Sequence, residues 1–172
     1  MTRKLFAAGA VLFVGTLVTT VGMASQQSSK VQPKAAAQPA PVVKGTPPNV
    51  TLPPLPVVSF EPVEPIPVLR QVYEFAARHP EVLQYVPCYC GCENVGHKAN
   101  HDCFVKSRAA DGRVTQWDSH GMGCAVCLGV GRRAMALFNQ GISVPQIRQA
   151  IDREFGSHYP SHTPTPNPSA KS

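Results

Sequence analysis

Val86-Pro87-Cys88-Tyr89-Cys90-Gly91-Cys92 places three cysteines within five residues. The other three cysteines, Cys103, Cys124 and Cys127, follow within 35 positions, and His97, His101 and His120 fall in the same window. Pro87 stops any helix arriving from upstream and sends the chain into an extended or turning path. Alternate residues of a strand share a face but stand about 6.5–7 Å apart. Two thiolates on one tetrahedral ion must come closer, because each metal–sulfur bond is about 2.3 Å. A cysteine run that serves one site must therefore curl, and Gly91 permits the backbone angles that a curl needs. The centre of the domain is predicted to be irregular and rich in Cys and His.

Upstream, Val68, Leu69, Val72, Tyr73, Phe75 and Ala76 recur at helical spacing, so Val68 to His79 reads as a helix that Pro80 ends. Pro80 also suits the first position of a second short turn over Glu81–Tyr85. Downstream, Phe104–Arg108 and Arg113–Trp117 flank Ala109-Ala110-Asp111-Gly112, whose Asp-Gly pair predicts one short β-hairpin. Cys124 to Asn139 reads as a helix with Gly141 at its C-terminal cap. Ser143-Val144-Pro145-Gln146 has the form of a capping box. Val144, Ile147, Ile151 and Phe155 continue the apolar stripe as far as Gly156. The fold class that follows is mainly α, a small compact helical domain over residues 68–156.

The flanks differ in kind. Arg3 and Lys4 precede an apolar run from Leu5 to Val21, and Gly22-Met23-Ala24 supplies small residues before Ser25. Residues 1–24 therefore read as an export signal, cleaved or retained as an anchor. The domain is then expected outside the cytoplasm, periplasmic or on the cell surface, with membrane contact only through an uncleaved N-terminal segment. Eleven of the 35 residues from Pro33 to Pro67 are proline, so residues 25–67 read as a disordered Pro-rich linker. Residues 157–172 read as a disordered tail. The net charge of +6 is concentrated in the N-terminal region, since residues 68–160 carry ten Lys/Arg and eight Asp/Glu. Without a basic stripe, nucleic-acid binding is not expected.

The chemistry turns on nine residues: Cys88, Cys90, Cys92, His97, His101, Cys103, His120, Cys124 and Cys127. Cys124 and Cys127 stand at i and i+3 of a helix start, where partial positive charge favours the thiolate. His97 and His101 stand four apart and share a face if their segment is helical, and Gly96 and Asn100 make a loop an equal alternative. Three imidazoles within the cysteine window point to a transition metal, copper(I) or zinc, with no organic cofactor. The partners implied are the ion and a metal-delivering or metal-accepting protein. An even cysteine count in an exported chain also fits a disulfide-stapled interaction module. The Cys124-x-x-Cys127 pair leaves thiol–disulfide exchange as a third possibility. No nucleophile–base constellation is legible, so no catalytic residue is assigned. His79, His158, His162 and Met122 read as surface or packing residues, and Phe104 and Trp117 as local core.

Pro87-Cys88-Tyr89-Cys90-Gly91-Cys92, with Phe75–Pro80 upstream, Trp117–Gly121 downstream and then Cys124-x-x-Cys127, resembles the bacterial PCYCGC-motif family. The resemblance covers roughly residues 68–156. It implies export, in many members with a lipid anchor, and carries no established activity. No cysteine follows the apolar run here to accept a lipid.

Overall fold

Helix α1, Ile66–Arg78, starts where Pro65 and Pro67 preset helical φ, and turns Leu69, Val72, Tyr73 and Ala76 inward. The computed structural model describes residues 44–169. The candidate signal and anchor residues 1–24 lie outside this range. No helix among the described residues is long and apolar enough to cross a membrane. The single turn α2, Pro80–Leu83, follows as Pro80 predicts. The cysteine loop then leads through two 3-10 turns, Cys92–Val95 and Asn100–Cys103, into an antiparallel hairpin of β1, Val105–Arg108, and β2, Val114–Trp117. Gly112, at φ +91°, takes the hairpin turn.

Three helices complete the domain. One turn, α3 (His120–Gly123), precedes α4 (Ala125–Asn139). Gly141, at φ +77°, ends that segment, and α5 (Val144–Phe155) packs back on α4. The Gln146 side-chain oxygen accepts from both the Ser143 amide and its hydroxyl, which fixes the start of α5. α4 lies between α1 and α5, and close approach sets its composition. A methyl at Gly131 would stand 2.8 Å from Val72 Cγ1 and 3.1 Å from the Phe104 ring. Tyr73, Phe104 and Trp117 meet edge to face at the centre of the core, and Met122 is buried beside them.

Two segments depart from expectation. Residues 44–65, expected as disordered linker, lie across the domain as an ordered strap. Thr46 is buried: its amide donates to the Ala77 carbonyl, and its hydroxyl donates to that of Gly112. Trp117 donates its indole N–H to the Pro53 carbonyl, and Val63 N donates to Met122. Leu52, Leu55 and Val58 pack on the core. Proline forbids regular structure but not docking: a chain with few free donors can lie on an apolar surface with little left unsatisfied. The tail is ordered too. Thr163 and Thr165 are buried, and Thr163 pairs with Cys88 through both backbone and side chain.

Candidate metal centre

All six cysteine sulfurs converge between the 88–92 loop, the second 3-10 turn and the start of α4, and all six are free thiols. Cys88, Cys90 and Cys127 form a triangle with sides of 3.2–3.3 Å. Cys88, Cys103 and Cys127 form a second, with sides of 3.2–3.5 Å. The sulfur of Cys90 lies 3.5 Å from His120 Nε2, that of Cys103 lies 3.5 Å from His97 Nδ1, and Cys92 stands 4.0 Å from Cys103. These spacings exceed the roughly 2.05 Å of a disulfide and lie near the 3.8 Å or so that separates two sulfurs on one tetrahedral ion. A three-disulfide framework would present isolated pairs, whereas Cys88 and Cys127 each have three sulfur neighbours.

The motif explains its own spacing. Cys88 and Cys90 point into the cluster. Between them Tyr89 points the other way, donating its hydroxyl to Asp152 of α5 at 2.8 Å. Gly91, at φ +79°, turns the chain so that Cys92 swings towards Cys103. Arg148 holds this arrangement from behind: it pairs with Asp152 and donates to the carbonyls of Tyr85, Thr165 and Pro166. Thr163 Oγ1 accepts from the Cys88 amide, and the buried Asn100 donates its side-chain N–H to the Cys127 carbonyl. Thr163, Thr165, Arg148 and Asn100 carried no signal of their own in the sequence, because each acts through a backbone group far along the chain.

Eight of the nine candidate residues come together. The donor sets within reach of one ion are Cys90/His120/Cys124/Cys127, Cys88/Cys90/Cys92, Cys88/Cys103/Cys127 and Cys92/His97/Cys103. His101 is placed elsewhere. Its Nε2 faces Arg108 Nη2 at 3.1 Å and its Nδ1 faces Asp102 at 3.2 Å, so it is the Nδ1–H tautomer that accepts from the guanidinium and donates to the carboxylate. Gly96, at φ +91°, separates the two 3-10 turns, so the four-residue spacing of His97 and His101 does not put them on one face. His79, His158 and His162 bond to Glu81, the Glu154 carbonyl and the Thr163 carbonyl.

Hydrogen bonds among the thiols decide where negative charge rests. Cys103 and Cys127 donate to Cys88 and hold it far below the usual thiol range. Cys124 is lowered to about 5, chiefly because Cys127 donates to it. Cys103 is pushed well up by donating to Cys127 and Cys88, and Cys90 by burial. Cys127 accepts from Cys103, but its side-chain contacts with Cys124 and Cys88, together with burial, raise it. Among the described residues no lysine or arginine donates to any of the six sulfurs. Two thiolates 3.3 Å apart, the Cys88–Cys90 spacing, repel by about 5 kcal/mol at an effective dielectric of about 20. A soft cation among them removes that repulsion and allows more of the set to ionise.

The family described as proteins of unknown function with a PCYCGC motif matches residues 18–168. The chain belongs to the PCYCGC family. No curated protein and no solved structure matches it. The family motif thus coincides with three of the six clustered sulfurs, and Pro87 and Gly91 shape the loop that carries them.

Proposed function

We propose that this member of the PCYCGC family is an exported carrier of a soft d10 ion, copper(I) or zinc, which it holds for buffering or delivery. The observation that carries this reading is the convergence of six free thiols and two imidazoles, with five of the sulfurs and both imidazoles at 3.2–4.0 Å spacings and Cys124 within 4.8 Å of Cys90, Cys127 and His120. Thiolate and imidazole suit both ions, and hard cations would want oxygen donors. Delivery is favoured over stapling by access. Cys90, His120 and Cys124 are only partly buried, and His120 and Cys124 line a 540 Å³ cavity with Phe60, Glu61, Ser119 and Gly123. An ion at that end can be handed to an incoming ligand. Export is supported by Arg3, Lys4 and the apolar run that follows.

Competition of the fully reduced chain against chelators of graded affinity, run separately for copper(I) and zinc, tests the reading. Tight binding of either ion upholds it, and binding of neither removes it. The partly exposed Cys124, lowered to about 5 and capping α4, favours one rival, thiol–disulfide exchange with Cys127. Turnover with a dithiol donor and a disulfide acceptor would reveal that activity. Inertness in that assay, with metal bound, leaves the carrier.

A further inference from the structure

The donors divide into a shared edge and two wings. Cys88 and Cys127, 3.2 Å apart and both fully buried, are the edge common to the two sulfur triangles. On one side stand Cys90, Cys124 and His120, and on the other Cys103, Cys92 and His97. Each wing has two sulfurs and one imidazole, with the imidazole nitrogen 3.5 Å from a sulfur. The rings of His97 and His120 meet at 5.2 Å. One tetrahedral ion uses four donors and would leave the far wing idle. Two divalent ions, each taking one wing and one sulfur of the central edge, employ all eight donors at four apiece.

We propose, building on the soft-metal reading, that the centre is dinuclear. Cys127 joins Cys90, Cys124 and His120 around an outer ion, and Cys88 joins Cys92, Cys103 and His97 around an inner ion. The wings are unequal in access. All three outer donors are partly exposed, whereas Cys92 and Cys103 are buried and the His97 side chain is only 12% exposed. The outer ion is the exchangeable cargo, and the inner ion stays while it passes.

The test is native mass spectrometry of the full reduced chain loaded with zinc, followed by timed transfer of zinc to an excess of chelator. The expected result is two zinc ions per chain, released in two phases whose rates differ by about tenfold or more. His120→Ala removes the fast phase and leaves one ion, and His97→Ala removes the slow phase. Both histidines are at the rim of the cluster, and the wild-type phases need no variant. A single zinc ion, three or more ions, one release phase, or loss of the same ion in both variants overturns the dinuclear partition while leaving a soft-metal carrier. No zinc and no copper(I) removes the carrier reading as well.

Discussion

At the residue scale, two polar side chains far from the cysteine run tie distant segments of the domain together. Thr163 accepts from the buried amide of Cys88 at 2.9 Å, and its own amide donates to the Cys88 carbonyl. Thr163→Val keeps the volume and the backbone bond but strands that amide. A stranded buried donor costs about 1–3 kcal/mol, so the urea midpoint of the reduced chain should fall with the slope unchanged. Thr163→Ser should restore it, and equal behaviour of the two variants would show that the hydroxyl is idle. Arg108 is the other. Its guanidinium donates to the carbonyls of Ala76 and Ala77 in the last turn of α1, to Gly112 and to His101 Nε2, and burial lowers it to about 10. Lysine has no planar fork to span these acceptors. Arg108→Lys should therefore cost about 1–3 kcal/mol in the same assay, without changing the number of ions bound. A changed ion count would mean that His101 belongs to the centre.

At the scale of elements, what was legible depended on whether a segment owes its form to its own pattern. Leu69, Val72, Tyr73 and Ala76 advertise α1, Asp111-Gly112 advertises the hairpin, and Ser143 with Gln146 marks the start of α5. The six sulfurs were legible as a group because cysteines occur nowhere else in the chain. The strap was not, since proline erases periodicity and its order comes from where Leu52, Leu55 and Val58 land. The division of His97 from His101 rests on a left-handed Gly96, which the sequence offered as a loop former while leaving a helical face equally open. The strap's contribution can be measured by comparing a chain that begins at Lys44 with one that begins at Pro65. Its loss removes three half-buried aliphatic contacts and several hydrogen bonds, including those at Thr46, Val63 and Trp117. At about 1 kcal/mol for each such contact or bond, the shorter chain should unfold at a clearly lower urea concentration. An unchanged midpoint would make the strap a passenger.

At the scale of the whole molecule, the question is whether the metal makes the fold or rides in it. Small metal-stapled domains are unfolded without their ion because little apolar surface is available to them. Here Leu69, Val72, Tyr73, Leu83, Phe104, Val130, Ile147 and Ile151 are almost fully buried, drawn from α1, α2, α4, α5 and the segment before the hairpin. Cys88, Cys92, Cys103 and Cys127 sit in the same cluster, but these eight side chains supply apolar burial that needs no ion, so the chain without metal should keep its helical circular dichroism and melt cooperatively. Loading should still stabilise it, because an ion that binds only the folded state adds about 2.7 kcal/mol at a free concentration of 100 times Kd. For a domain of this size that is on the order of 10 °C in Tm. The gain should grow as pH rises, because the thiols must shed protons to bind, and vanish in acid. Thermal scans of the reduced chain with zinc, and with chelator in its place, at several pH values check both parts. A random-coil spectrum in chelator would make the ion a structural staple and would end the case for a carrier that gives up its cargo and stays folded.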